Sequence, residues 1–438
     1  MFTTIKVNNY KYFSIVLILL SISSFFIGYI YDENSAGGGP TDFTHTWANL
    51  HTFLNNSISK GINLTTTYDP EIYTSARTPL IYIFHKLFNP FVGNEIIFRT
   101  SVFCLSLLVP FLFYLCLKQK FKKEENLLLI LISTTIFLSP FFRTSAYWGN
   151  EENFGLITLL LSFLFLDKFL HNNNNQSKDY YLLFLVVFVS SICLYFDQKL
   201  AIIPLICFIQ IIFSVKSHKL KFFAFFLYFI FSLPYIYLII LWGGLIPPRD
   251  ALGRGLGNQL FFYHIGYAST IIAFYLLPLL LYKSENLVRL VKNFFSQKRN
   301  YYLISIFFIY LFYLLFFHDY EGMRLMGKGF VHKTAILFFE EIIFQKIYIY
   351  FSFFFSWIII LVYLSNSLKS KLIMSYFFLL SIIIFPLMQE YFDPLIILMA
   401  FTFLNSKFCV NYKRTIFLYC YLSIFLIFSN IYYYNLIN

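Results

Sequence analysis

The chain has 438 residues, of which 59% are hydrophobic, 23% aromatic and only 12% charged, with a mean hydropathy of +0.69. A water-soluble globular domain carries about 25% charged residues and roughly half apolar ones, so this composition excludes one and predicts a polytopic membrane protein. The formal net charge of +12 is then to be read against the apolar runs, and not as a sign of nucleic acid.

The first apolar run, about 13 to 30, follows Lys6 and Lys11 and is longer than a signal-peptide core. No small-residue cleavage site follows it, so it predicts an uncleaved anchor. Further runs begin near 98, 126, 153, 180, 200, 222, 260, 301, 347, 372, 394 and 415. They predict an all-α bundle of about 13 transmembrane helices of roughly 17 to 25 residues, in a single integral membrane domain over 1–438. With the N-terminus in the cytoplasm, the inner loops carry most of the Lys and Arg, among them Lys118 to Lys123, Lys216 to Lys221 and Lys283 to Arg299, as the positive-inside rule requires. Most acids fall on the opposite side, which that rule does not explain. The inner loops hold no G-x-x-x-x-G-K-[ST] and no G-x-G-x-x-G, so nothing there is built for ATP or a dinucleotide. The six cysteines lie scattered in apolar runs without a C-x-x-C pair, a pattern that predicts neither zinc nor a disulfide framework.

The longest stretch between runs is 31–96, read as the first extracytoplasmic loop and as catalytic. It opens on Asp32 and Glu33, passes Gly37, Gly38 and Gly39, and continues as Thr41-Asp42-Phe43-Thr44-His45-Thr46-Trp47 to His51. Residues 41–55 have helical periodicity, with Phe43, Trp47, Leu50 and Leu54 on one face and Thr41 as N-cap. This predicts a short amphipathic helix at the membrane surface with Asp42 and His45 on its first turn. A carboxylate at a membrane-water boundary can stay ionised and still face a partly dehydrated pocket, as a general base acting on a sugar hydroxyl must. The plain alternative for Asp42 is a helix-start residue that complements the dipole, and for Asp32 and Glu33 it is a solvated cap.

Further along, Tyr68-Asp69-Pro70-Glu71-Ile72-Tyr73 precedes Arg77. Acids interleaved with aromatics suit carbohydrate, and aromatics at a bilayer edge also form an ordinary interfacial belt. Later outer segments carry Arg143, Trp148 and Glu151, then Trp242, Arg249, Arg254 and His264. The segment 318–345 carries His318, Asp319, Arg324, Lys328 and His332. Cations on the face that is normally poor in them suit an anionic, lipid-linked substrate, which makes 318–345 a phosphate-binding candidate. Each taken alone is equally a snorkelling interfacial residue.

At these residues the chain resembles the multi-spanning GT-C glycosyltransferases, which take sugars from polyprenyl-phosphate donors and place a catalytic carboxylate in the first outward loop. Within that superfamily it is most similar to the dolichyl-phosphoglucose-dependent α-1,2-glucosyltransferases. Asp69-Pro70-Glu71-Ile72-Tyr73-Thr74 before Thr78-Pro79-Leu80 looks like that family's segment ahead of helix two. Trp242-Gly243-Gly244-Leu245 looks like its Trp-x-Gly-Gly-Ile, and Gln389-Glu390-Tyr391-Phe392-Asp393-Pro394 looks like its late Glu-x-Arg-Tyr-Phe-x-x-Pro. The patches follow the family's order. The family's adjacent Asp-Glu pair is here divided between Asp32-Glu33 and Asp42, and the Arg of the late motif is missing.

The resemblance implies an inverting glycosyltransferase. Its donor would be a polyprenyl-phosphate sugar and its acceptor a glycan or glycolipid on the extracytoplasmic side of the lipid bilayer. Asp42, Asp32 or Glu33 would be the base, with the remaining outer residues named above binding substrate. No cofactor is called for, a divalent metal stays open, and nucleic acid is not a partner. The location expected is a bacterial plasma membrane ahead of an endoplasmic-reticulum membrane. Two other readings share the many spans: a polysaccharide repeat-unit polymerase, whose large polar loop usually comes late in the chain, and a transporter or flippase of lipid-linked sugars, whose ionisable residues sit near the midplane beside broken helices.

Overall fold

The computed structural model describes residues 2–67, 77–171, 176–244, 247, 260–283, 287–318, 320, 327–364, 368–404 and 408–437. Among these the protein is all-helical. In chain order the helices are α1 (Phe2–Ile30), α2 (Gly39–Asn55), α3 (Ile58–Thr66), α4 (Leu80–Phe88), α5 (Glu95–Ser106), α6 (Leu108–Lys120), α7 (Asn126–Ser133), α8 (Pro140–Tyr147), α9 (Glu152–His171) and α10 (Gln176–Phe196). They continue with α11 (Ile202–Ser214), α12 (His218–Trp242), α13 (His264–Leu279), α14 (Leu287–Ser296), α15 (Lys298–Phe317), α16 (Gly329–Phe338), α17 (Ile342–Tyr363), α18 (Leu368–Ile383), α19 (Leu395–Phe401) and α20 (Tyr412–Ile437). The chain divides into two compact units. Unit 1 is Met1–Tyr10 with Gln259–Tyr421, and unit 2 is Lys11–Asn258 with Leu422–Asn438.

Among the described residues nine helical segments are long and apolar enough to cross a membrane, against the 13 expected; a tenth arises if one bent pair counts as a single span. The protein is a multi-pass integral membrane protein. The remaining apolar runs are helical but short. The run near 126 forms α7, a 3-10 turn over Thr134–Leu138 and α8, bent by 70°. The hydroxyls of Thr134 and Thr135 bond back to the carbonyls of Ile130 and Ile132 at 2.9 and 2.7 Å, then Ser139 caps Phe142 N at 3.0 Å and Pro140 starts the new helix. Back-bonding hydroxyls followed by a fresh cap and a proline break a helix at that point. The run near 394 gives only the seven residues of α19, all buried in unit 1. They are apolar because they face protein, which a hydropathy pattern cannot distinguish from lipid.

In unit 2, α9 and α10 pack together, flanked by α6, α11 and α12. Pro234 lies inside α12 and lacks an N–H. The ladder beside it is bridged by Tyr195 of α10, whose hydroxyl donates to Phe231 O at 2.5 Å and accepts from Tyr235 N at 3.0 Å. Water cannot replace that hydroxyl within a bilayer. Tyr195→Phe is therefore expected to lower stability by about 1–3 kcal/mol, read as a shift in the denaturation midpoint of the purified protein; an unshifted midpoint would show that the bridge carries no weight.

Across one end of the unit 2 bundle lie α2 and α4. Phe43, Leu50 and Phe53 of α2 form a cluster with Ile81 and Tyr82 of α4, Phe98 and Val102 of α5, Phe154 of α9 and Phe196 of α10. Burying each large apolar side chain contributes about 1.5–3 kcal/mol, so the cluster fixes α2 against α4, α5, α9 and α10. The apolar face expected for 41–55 is seen in Phe43 and Leu50, fully buried, with Trp47 and Leu54 packed at the margin. In unit 1, α13 is the buried hub and packs on α17, α18, α16 and α19; Gly266 lets α13 approach Phe353 of α17, where any Cβ would strike the ring.

Candidate functional site

The end of unit 2 where α1 stops holds Asp32 and Glu33, and α2 with Asp42 follows directly. After α1 the chain turns through Asp32, in the left-handed region at φ +49°, and through Gly37 and Gly38, each at φ +76°. A Cβ at Gly37 would collide with the ring of Tyr433 on α20, so glycine is required for both backbone conformation and space. The turn is tied to α8 by Ser35 Oγ donating to Pro140 O (3.2 Å) and Ala36 N donating to Thr144 Oγ1 (3.0 Å). Asn34 Oδ1 accepts from Gly39 N at 3.0 Å and so leads into α2.

Glu33 points inward and binds Arg143 of α8, which is only 2% exposed. Arg143 Nε donates to Glu33 Oε1 at 2.8 Å and a terminal nitrogen pairs with Oε2. The other donors reach Ser24 Oγ (3.2 Å), Ser24 O (2.8 Å) and Phe137 O (3.0 Å). All five guanidinium donors are therefore used. Asp32 pairs with Arg99 of α5, which also donates to Tyr147 O at 2.8 Å and lies 4.1 Å from the ring of Trp148. Trp148 in turn donates its indole N–H to Glu33 O at 3.1 Å.

A second group of charges lies on the same unit. Arg77, just before α4, pairs with Glu151 and, at 3.4 Å, with Glu152. Glu152 accepts from Ser145 Oγ at 2.9 Å, and Asp197 pairs with Lys199 at 3.0 Å in the 3-10 turn after α10. Burial alone would lower the Arg77 pKa, but the carboxylates of Glu151, Glu152 and Asp42 outweigh it and hold the group well above its ordinary value. Burial pushes the Glu151 carboxyl upward and the charges of Glu152 and Asp197 add to this, against the pull of Arg77. Burial likewise raises Asp197, against Lys199. Asp42 and His45 are both half-buried on the first turns of α2, and the charge of Asp42 acts on Arg77. Trp47 stacks at the edge of His51 (4.6 Å) and against Phe98 (5.4 Å).

The other expected residues fall elsewhere. Trp242 ends α12, buried edge-on against Tyr235 at 5.9 Å. His264, His318, Lys328 and His332 belong to unit 1 and are all buried. Lys328 takes φ +60° between Gly327 and Gly329, its N–H bonds Leu387 O at 2.8 Å, and its ammonium lies 5.7 and 5.9 Å from the rings of Tyr263 and Tyr267. His318 stacks on Tyr263 (4.7 Å), and His332 meets Tyr267 and Tyr320 edge-on (6.0 and 5.6 Å). His264 instead bonds Ser381 O at 3.0 Å. Asp69, Arg249, Arg254, Asp319 and Arg324 lie outside the described residues. Among the described residues no group of three or more His, Cys, Asp or Glu side chains could hold a metal ion.

Arg99, Glu152, Asp197 and Lys199 were not singled out as site residues by the sequence reading. Arg99 stands one residue into an apolar run, and Asp197 and Lys199 mark the break between two, which are the only signals they give. His85 of α4 was missed too. It is 1% exposed, with Nδ1 at 3.0 Å from Asn89 Nδ2 and its ring between Phe98 and Phe154. Burial lowers its pKa from 6.5 to about 4. Between those values the unfolded chain binds a proton that the folded one does not, so stability is full above pH 6.5 and falls as pH drops toward 4. The His85→Gln variant is expected to lose roughly 2–3 kcal/mol less than the wild type between pH 7.5 and 4.5, measured by unfolding midpoints; equal losses would contradict the assignment.

No protein-family model matches the chain, and neither a curated protein nor a solved structure matches it.

Proposed function

We propose that the protein is an inverting membrane glycosyltransferase. It moves a sugar from a polyprenyl-phosphate donor to a glycan or glycolipid acceptor on the extracytoplasmic side of a membrane, in a bacterial plasma membrane with the N-terminus in the cytoplasm. The observation that carries this reading is the setting of Asp42. It is a half-buried carboxylate on the first turn of a helix packed on the bundle, coupled to a charge group centred on Arg77.

Of the three acids open as base, Asp32 and Glu33 are committed to Arg99 and Arg143. Asp42, half-buried on the first turn of α2, is the acid assigned as base. In the reaction Asp42 takes the proton of an acceptor hydroxyl, and the oxygen attacks the anomeric carbon. The bond from that carbon to the phosphate oxygen breaks, and the lipid phosphate leaves with the electron pair. Aromatic faces stack sugar rings while acids accept from their hydroxyls.

The test is incubation of the purified protein in lipid with a panel of polyprenyl-phosphate sugars and glycolipid acceptors, scoring covalent transfer. Transfer from at least one donor is expected, and failure with every donor would sink the reading. One feature favours a second reading, transport of lipid-linked sugars: a 70° break separates α7 from α8, and transporters use broken helices. Movement of an unaltered lipid-linked sugar between leaflets, with no new glycosidic bond, would decide for it.

A further inference from the structure

Between two spans of unit 1, the one ending at Tyr282 and the one starting at Asn300, lies α14, Leu287-Val288-Arg289-Leu290-Val291-Lys292-Asn293-Phe294-Phe295-Ser296. Ten residues rise only about 15 Å, too little to cross a bilayer, so α14 sits at its edge. At 3.6 residues per turn its side chains separate into two arcs. Leu290 and Phe294 are buried against the protein, while Leu287, Val291, Phe295 and Val288 continue the same apolar arc outward at 41%, 36%, 36% and 73% exposure. Arg289, Lys292 and Asn293 occupy the opposite arc, exposed. The corner into α15 is fixed by the buried Asn300, whose amide donates to Phe294 O at 2.8 Å.

The charges at this end of unit 1 are predominantly positive. Residues 281–299 contain Lys283, Arg289, Lys292, Lys298 and Arg299 against the single acid Glu285, and the start of α20 adds Lys413 and Arg414 with no acid beside them. The same end is drawn together by Lys283, whose ammonium lies 4.5 Å from the Tyr363 ring at the close of α17, and by Cys409 N donating to Tyr282 O at 2.7 Å. We infer that α14 is an interfacial helix that binds the headgroups of anionic lipids. Its inner apolar half docks on unit 1, its outer apolar half enters the acyl layer, and Arg289, Lys292 and Lys298 meet lipid phosphate. A soluble acidic partner would match the cations and leave Val288 and Phe295 facing water, whereas a lipid surface takes both arcs at once. The inference does not depend on the reaction proposed above.

The test is native mass spectrometry of the full chain given equimolar phosphatidylglycerol and phosphatidylcholine. The wild type is expected to retain phosphatidylglycerol at least about fivefold over phosphatidylcholine. The variant combining Arg289→Gln, Lys292→Gln and Lys298→Gln is expected to fall to near parity. Substituting the basic loop of unit 2 by Lys118→Gln, Lys122→Gln and Lys123→Gln is expected to keep most of the preference. Val288→Asp with Phe295→Asp, which leaves every cation in place at exposed positions, is expected to weaken retention as well. Equal retention of the two lipids by the wild type would overturn the inference, as would a preference that survives the triple charge change or is untouched by the paired aspartates. A dimer abolished by the same changes would overturn it in favour of a second chain as occupant.

Discussion

Arg143→Ala is expected to be the most destabilising single substitution at the end of unit 2 where α1 stops, costing about 3–5 kcal/mol. Five donors of one side chain join Ser24 of α1, the Glu33 turn and the 3-10 segment before α8. Removing the guanidinium leaves the Glu33 carboxylate without its main counter-charge in a partly dehydrated setting, and it also leaves the carbonyls of Ser24 and Phe137 without that donor. Truncating one partner of a buried ion pair costs more than the pair contributes, because the survivor's charge remains buried. Arg143→Ala with Glu33→Gln should therefore recover part of the loss. Gly28 supports the same geometry, since a Cβ there would run into Glu33, Arg143 and Tyr147. The measurement is the denaturation midpoint in detergent for the two single variants and the double. A single-variant midpoint matching the wild type would show that the ion pair is not what holds the turn.

The apolar runs located helices well, and each of the expected runs falls on helix. What they did not separate was lipid from protein as the apolar surroundings. The run of α12 faces outward, with Phe222, Phe225, Phe226 and Phe229 exposed, whereas that of α19 is wholly buried; both read as hydrophobic. The helix over 41–55 was legible because Phe43, Trp47, Leu50 and Leu54 recur at helical spacing, but Thr41 is not its N-cap: α2 starts at Gly39, with Gly38 in the cap position and Pro40 in the first turn. The charge partners were not legible. Asp32 and Glu33 read as candidate bases or solvated caps, and their pairing stays hidden because the arginines that hold them are 67 and 110 residues away in sequence. Arg77 likewise meets Glu151 across 74 residues. Pairings across such separations are made by helix packing, which no local pattern encodes.

Buried ion pairs are weak contributors to net stability against apolar replacements of the same shape. The group of Arg77, Glu151, Glu152, Asp197 and Lys199 is therefore not a strong staple of the fold, and its charges couple to Asp42 through Arg77. In the reaction proposed above, Asp42 takes the proton of the acceptor hydroxyl as that oxygen bonds to the sugar.

The second large effect follows from that role. Asp42→Asn preserves the size of the side chain and its place on the first turn of α2 but removes the only group assigned to accept the proton. General-base catalysis is worth about 10²–10⁴-fold, while an exchange at a half-buried helix-start position should move the denaturation midpoint little. The decisive measurement is the rate of sugar transfer by Asp42→Asn, in lipid and with an accepted polyprenyl-phosphate donor, beside its denaturation midpoint. The account predicts a rate reduced by about 10²-fold or more in protein that unfolds like the wild type; a folded Asp42→Asn protein that transfers sugar at the wild-type rate would contradict it.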